Sequence, residues 1–178
     1  LFDREGLEYV QIFASGAFDE FKIKRTIEQN ARIDAFGVGT KMGVSADAPF
    51  SDIAYKLVKY AGHPVLKLSS GKKTLVEEKQ VFRIQDRDSL HKDVIGLRHE
   101  DLDGAPLLQE VMRSGQRTFE PESLNVIRER CREELNRLDP ACRALENPGQ
   151  YPVELSQGLQ DLQAQVIHDV REKELGES

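Results

Sequence analysis

A strand, a helix and a second strand follow one another within residues 8–40, and this unit constrains the fold more than any other part of the chain. Residues 8–14 are rich in β-branched and aromatic side chains and stop at a Ser-Gly pair, as a buried parallel strand does at a turn. Apolar residues then recur at helical spacing over residues 18–31, and residues 33–36 form a second short strand. A helix that crosses over between two strands predicts a parallel pair and an α/β fold.

Both strands of this unit end in turns that could receive an anion. Ser15 and Gly16 follow the first strand, and Gly37, Gly39 and Thr40 follow the second. Glycines let backbone amides approach an anion closely, and the threonine hydroxyl can donate one further hydrogen bond, so a phosphate is the ligand that suits these turns. Because the motif is short, the alternative that the glycines only shape the turns stays open.

Two short strands, residues 53–60 and 65–68, are predicted to form an antiparallel hairpin around a Gly-His-Pro turn. Lys67 lies in the second strand, where a charged side chain faces either solvent or a binding site. Residues 71–74 (Gly-Lys-Lys-Thr) lack the first glycine and the spacing of a P-loop, so they do not indicate a nucleotide site. The long loop at residues 41–52 either contacts substrate or is a surface excursion.

The rest of the chain is predicted to change from strands to helices. Residues 79–85 and 93–98 have the composition of strands, and the chain is helical by pattern from residue 105 onward. We expect a short helix over residues 106–112, a long one opened by Pro121 and marked by an apolar stripe up to Leu138, and a last helix capped by Ser156.

Composition excludes several classes of protein. The chain has 178 residues and a formal charge of −6, which argues against a nucleic-acid surface. It contains no apolar run long enough to cross a bilayer and no charged-then-apolar leader, so we expect a cytoplasmic protein without membrane contact. Its four histidines and two cysteines do not have the spacing of metal ligands, so no metal site is predicted.

Several segments together resemble one enzyme family. The runs SGAFDEF, IDAFGVGT, AYKLVKYAGHPVLKLSSGKKTL and KQVFR, followed by NPGQYPVELSQGLQDL, are similar to nicotinate phosphoribosyltransferase in their order and approximate spacing. The resemblance covers nearly the whole chain but only the C-terminal part of the larger enzyme. Since the first residue is Leu1, we expect a fragment or a cleaved chain.

The resemblance implies a fold and an activity. The fold is the C-terminal half of a TIM-like α/β barrel of the type II phosphoribosyltransferases (residues 1–52), strands that return to a β-rich domain (53–104) and a helical C-terminal region (105–178). The family joins nicotinate to phosphoribosyl pyrophosphate with coupled ATP hydrolysis, a ligase-type step of NAD biosynthesis. Magnesium would arrive with the pyrophosphate, and the enzyme would be a homodimer.

The resemblance also implies roles for particular residues. Gly37, Gly39 and Thr40 would hold the 5′-phosphate of phosphoribosyl pyrophosphate, and Ser15 and Gly16 would line the neighbouring part of the pocket. Lys67 would face the phosphate or pyrophosphate region. The family's catalytic residues lie upstream of this segment, so we expect no catalytic residue here and no activity without the missing N-terminal part.

Two alternatives and one departure from the family remain. The C-terminal helices could form a non-catalytic interaction domain, or the chain could belong to another phosphosugar barrel enzyme such as an aldolase or isomerase. Asp34 disfavours the second alternative because it stands at the start of its strand, away from the end where barrels carry chemistry. Where the family has Pro-Gly, this chain has Val76-Glu77-Glu78, which leaves the turn geometry there open.

Overall fold

The computed structural model describes residues 2–45, 48–50, 54–69, 74–172 and 176. The chain divides into two compact units, Leu1–Ala54 and Tyr55–Ser178. Within the described residues, no helix combines the length and the apolar character needed to cross a membrane.

The first unit is a parallel pair of strands with a helix between them. A 3-10 turn at Phe2–Glu5 precedes β1 (Phe13–Ser15), α1 (Glu20–Glu28), β2 (Ala35–Gly37) and the short α2 (Thr40–Gly43). β1 and β2 pair in parallel, with Ser15 opposite Gly37 at their carboxyl ends. The strand, helix, strand order and the parallel pairing predicted from the sequence are therefore confirmed.

Hydrogen bonds to two aspartate side chains accompany a later start of β1 and α1 than the sequence predicts. The Asp34 carboxylate accepts a hydrogen bond from the Ile12 N–H at 2.7 Å, and regular pairing begins only at Phe13. Asp19 caps α1 by accepting a hydrogen bond from the Lys22 N–H at 2.9 Å, so the helix begins at Glu20 instead of at residue 18. Part of the predicted loop at 41–52 is the end of α2, and residues 46–47 and 51–52 of that loop lie outside the described residues.

The second unit is built on a four-stranded sheet. A small hairpin of β3 (Lys59–Tyr60) and β4 (His63–Pro64) comes first. The strands of the sheet are β5 (Lys79–Gln85), β6 (Leu90–Leu97), β7 (Ala105–Pro106) and β10 (Val153–Leu155), and a separate hairpin of β8 (Met112–Arg113) and β9 (Gln116–Arg117) lies between β7 and β10 in sequence. The sheet order is β10-β6-β5-β7, with β10 parallel to β6 and the other pairs antiparallel.

Two helices of 14 residues complete this unit: α3 (Leu124–Arg137) and α4 (Gln157–Val170). Ser123 and Ser156 are their N-caps, and a 3-10 turn at Pro140–Arg143 follows α3. The long helix, its end before Pro140 and the last helix with its serine cap agree with the sequence prediction.

The core of the second unit forms where α4 packs on β6. Val76, Leu97, Leu159 and Val166 are its buried members. Gln163 of α4 reaches the segment before β5, where its amide accepts a hydrogen bond from the Val76 N–H at 2.9 Å and donates one to the Thr74 carbonyl at 3.1 Å. The helix therefore supplies backbone partners as well as apolar surface to the chain that enters the sheet.

The predicted helix at residues 106–112 is wrong, because this segment is extended. The Leu107 N–H donates to the Val81 carbonyl at 2.8 Å, which continues the pairing of β7 with β5. The Gln80 side chain makes two hydrogen bonds with the backbone of Leu108, at 2.8 and 3.0 Å. These partners satisfy backbone groups that a helix would have needed, so residues 105–178 are a mixed region and not only a helical one.

The hairpin predicted at 53–60 and 65–68 is present in shorter form. Its strands are β3 and β4, extended by one backbone hydrogen bond from the Val65 N–H to the Val58 carbonyl at 3.0 Å, and Lys67 lies outside any strand. Ile53 and the Gly-Lys-Lys run at 71–73 lie outside the described residues.

In the turn before β5, a residue other than glycine has a left-handed backbone conformation. Glu77 has φ 63°, a conformation that the glycine of a Pro-Gly pair adopts readily. The Lys59 ammonium binds the Glu77 carboxylate at 2.5 Å, and the Lys79 ammonium donates to the Glu77 carbonyl at 2.5 Å. These two lysines hold a backbone conformation that costs about 1 kcal/mol in a residue with a side chain.

Candidate functional site

The loops that follow β1 and β2 line one cleft of about 670 Å³ in the first unit. The parallel register brings the carboxyl ends of both strands to the same edge of the pair. The lining residues are Ser15, Gly16, Ala17 and Phe18 from the first loop and Gly37, Val38, Gly39, Thr40 and Lys41 from the second.

The loop after β1 has a backbone that only certain residues adopt easily. Gly16 has φ 116°, which strongly favours glycine, and Ala17 follows at φ 49°. The Lys22 ammonium in the first turn of α1 donates to the Ala17 carbonyl at 2.7 Å. The ring of Phe18 meets the ring of Phe36 edge to face at 5.1 Å, which packs the helix entrance against β2. The lysine hydrogen bond and the contact between the two phenylalanine rings therefore both stabilise this loop.

The two glycines of the second loop have different surroundings. A Cβ on Gly37 would lie 2.9 Å from Phe13 Cε1 and 3.2 Å from Ser15 Cβ, so glycine is needed there for the packing of the strand pair. A Cβ on Gly39 would meet no atom within 4 Å. Gly39 therefore has no packing reason to lack a side chain within the described structure, and the space beside it is open to a ligand.

The polar groups of the cleft suit an anion. Among the described residues that line it, the polar side chains are those of Ser15, Thr40 and Lys41, and none of them is a carboxylate. A hydroxyl can donate a hydrogen bond to a phosphate oxygen, and an ammonium adds charge to that contact.

Five of the six site residues predicted from the sequence line this cleft: Ser15, Gly16, Gly37, Gly39 and Thr40. The sixth, Lys67, belongs to the second unit, where it is exposed and its N–H donates to Thr74 Oγ1 at 3.0 Å. The sequence analysis missed Lys41, although its position next to Thr40 was a signal for it. It also missed Ala17, Phe18 and Val38, which are apolar and carry no chemical signature.

The second unit contains a half-buried charge network beside α3. Arg83 of β5 binds the carboxylate of Asp93 on β6 through two hydrogen bonds of 2.9 Å, and its guanidinium lies 5.9 Å from the centre of the Tyr151 ring. Hydrogen bonding to Asp93 raises the pKa of Arg83, and burial raises the pKa of Tyr151. A pocket of about 380 Å³ lies between this arginine and the apolar side chains of α3. Since the guanidinium is already paired, the network is a structural link between the two strands.

In the described part of the chain, no group of three His, Cys, Asp or Glu side chains is arranged to hold a metal ion.

Comparison with known proteins gives these features a family context. Residues 97–163 match the model of the nicotinate phosphoribosyltransferase C-terminal domain. Nicotinate phosphoribosyltransferase pncB2 of Mycobacterium tuberculosis is 40% identical over 168 residues, which cover 93% of this chain and 36% of that protein. Nicotinate phosphoribosyltransferase of Rattus norvegicus is 32% identical over 188 residues, which cover 90% of this chain and 35% of that protein.

A solved structure agrees with these relatives. The crystal structure of human nicotinic acid phosphoribosyltransferase matches with a TM-score of 0.71 and 26% identity, over 92% of this chain and 34% of that chain. The chain thus spans about a third of the length of these relatives. Over nine tenths of its own length, it is a relative of the C-terminal part of the nicotinate phosphoribosyltransferases.

Proposed function

We propose that this chain is the C-terminal part of a nicotinate phosphoribosyltransferase and that its cleft holds the 5′-phosphate of phosphoribosyl pyrophosphate. The observation that carries the proposal is the meeting of two glycine-containing loops at the carboxyl ends of parallel strands. Barrel enzymes bind phosphate at loops in this position. The names of the relatives support phosphoribosyl transfer to nicotinate as the reaction, and the open space beside Gly39 supports a phosphate at this loop.

The reaction would join nicotinate to the ribose as pyrophosphate departs, with ATP hydrolysis coupled. Departure of pyrophosphate builds positive charge on the ribose, so groups that fix both phosphate ends in place favour the transition state. In this scheme Thr40 donates its hydroxyl to the 5′-phosphate, and Gly37 and Gly39 let the backbone approach it. Magnesium would be bound through the pyrophosphate oxygens of the substrate in this proposal.

The remaining catalytic groups belong to the upstream part of the enzyme in this proposal. The β1-α1-β2 unit is then a segment of a TIM-like barrel that closes only with upstream strands. We therefore propose that this segment is active only together with those upstream groups.

Exposed apolar side chains support a partner surface on the second unit. On α3, Leu124 is 84% exposed and Val126 52%. Leu108 and Met112 are also more than half exposed in the extended segment before it. Contiguous apolar patches mark contacts with other protein surfaces, whereas exposed apolar residues that stand singly are ordinary. We assign this surface to contacts within the complete homodimeric enzyme, and sedimentation of the full-length protein as a dimer is the expected result.

The same surface is what favours the alternative of a non-catalytic interaction domain. The two proposals differ in chemistry, because only the enzyme consumes nicotinate. The decisive experiment incubates the full-length polypeptide with phosphoribosyl pyrophosphate, magnesium, ATP and nicotinate, and separates the products by chromatography. Formation of nicotinate mononucleotide supports the enzyme. Absence of a nucleotide product here and in parallel incubations with nicotinamide or quinolinate would leave the interaction domain as the better account.

A further inference from the structure

Lys41 is the one ionisable side chain among the described residues that line the cleft. The other lining groups are backbone, two hydroxyls and apolar side chains, all of them neutral. A phosphate monoester carries up to two negative charges near neutral pH, and hydrogen bonds from neutral donors are weaker than those from a cation. The charge balance of the cleft therefore depends on Lys41 more than on any other lining residue.

The neighbouring lysines of the first unit are engaged differently. The Lys22 ammonium donates to the Ala17 carbonyl, so it supports the first loop. Lys24 forms an ion pair with Glu28 one turn further along α1, at 2.9 Å. Lys41 is exposed on α2 and lines the cleft directly.

We propose that Lys41 is a binding residue whose ammonium pairs with the 5′-phosphate dianion of the sugar phosphate. This inference rests on the proposed function, because it assumes that the cleft receives that phosphate. It adds the charged contact that the glycine and threonine motif lacks. It also assigns Lys41 to the 5′-phosphate end of the substrate and not to its pyrophosphate end.

The test measures binding of two probes to the full-length polypeptide by calorimetry. Ribose 5-phosphate carries only the 5′-phosphate, and magnesium pyrophosphate represents the other end of the substrate. Lys41→Met should weaken ribose 5-phosphate binding about tenfold, as the loss of one charge-assisted hydrogen bond does. Lys41→Arg keeps the charge and should stay within about threefold of the parent, a difference of about 0.7 kcal/mol. Magnesium pyrophosphate binding should be the same in all three proteins.

The matched control is Lys24→Met, which removes the same charge from the same unit but outside the cleft. Its ribose 5-phosphate affinity should equal that of the parent. Added potassium chloride supplies a readout that a structural defect would not change. The parent should lose affinity with rising salt more steeply than Lys41→Met, because the variant has one ion pair fewer to screen.

Failure of this inference differs from failure of the proposed function. If Thr40→Val abolishes ribose 5-phosphate binding while Lys41→Met binds as the parent does, the phosphate site stands and the role of Lys41 is refuted. If both variants bind as the parent does, the cleft is not the phosphate site and both proposals fall. Equal weakening by Lys41→Met and Lys24→Met would show a general charge effect, which also overturns the role of Lys41.

Discussion

Replacement of Glu100 by alanine should destabilise the second unit at the point where α4 joins the sheet. One carboxylate oxygen of Glu100 accepts hydrogen bonds from the Leu97 N–H at 2.5 Å and the Ser156 hydroxyl at 2.6 Å. Ser156 in turn accepts from the Leu159 N–H at 3.1 Å and caps α4. The glutamate therefore links the end of β6 to the first turn of the helix.

The expected loss of stability follows from the burial of the two hydrogen-bond donors that Glu100→Ala would leave unpaired. Leu97 and Ser156 are 7% and 6% exposed, so water cannot readily replace the carboxylate. Each buried donor left without a partner costs about 1–3 kcal/mol, so the loss of two such bonds in Glu100→Ala should lower the unfolding free energy by about 2–6 kcal/mol. Glu100→Gln keeps an acceptor oxygen, and the loss of charge assistance alone should cost about 1 kcal/mol.

The assay is urea unfolding of the full-length polypeptide, with hydrogen exchange at the amides of α4 to localise the effect. Ser156→Ala and Ser123→Ala form a matched pair, because both remove a serine N-cap. The Ser123 cap is exposed and long, at 3.4 Å to the Val126 N–H, so its removal should cost about 0.5 kcal/mol, against about 2 for Ser156. Equal costs for the two serines, or a Glu100→Ala protein as stable as the parent, would refute the reasoning.

Three further predictions concern other contacts. The hydrogen bond from the Lys59 ammonium lowers the pKa of Glu77 below its ordinary value of 4.5. The ionised carboxylate therefore stabilises the fold above about pH 4.5 and loses this contribution as pH falls through the lower folded-state pKa. Glu77→Gln should flatten the acid side of the urea midpoint plotted against pH, and an unchanged profile would contradict the pairing. Gly37→Ala should cost about 1 kcal/mol in thermal unfolding because its Cβ meets the Phe13 ring, and a neutral result would show that the ring moves freely. Asp93→Ala should cost about 3 kcal/mol in urea because it leaves the half-buried arginine of β5 without its bidentate partner, and a loss below about 1 kcal/mol would show that this ion pair contributes little.

The elements that were predictable from sequence are those whose period is locally unambiguous. The β1-α1-β2 unit, β5 and α4 have clear strand or helix patterns and turn or capping residues at their ends. The parallel pairing followed from the crossover helix, and it placed five of the six predicted site residues in one cleft. For these elements the local sequence pattern alone was enough to predict the secondary structure.

The prediction failed where distant side chains take up backbone hydrogen bonds. The segment after Pro106 has apolar residues at spacings that suit a helix, yet Gln80 binds the backbone of Leu108 from 28 residues away. The pairing of β10 with β6, as between Val153 and Asp93, joins residues still further apart in sequence and has no local signature. Lys41 was missed for a different reason, since its exposure to the cleft depends on how the chain turns after Thr40.

The central claim is that the glycine and threonine loop after β2 holds a phosphate of the substrate. Its most direct test is calorimetric binding of phosphoribosyl pyrophosphate with magnesium to the full-length protein, compared with Thr40→Val and Gly39→Val. A Cβ on Gly39 would meet no atom within 4 Å, and Thr40→Val replaces only a hydroxyl by a methyl group. The account predicts that both variants lose about tenfold or more in affinity while their circular dichroism stays that of the parent. Parent-like affinity in both variants, with circular dichroism unchanged, would contradict the claim and make the loop a scaffold only.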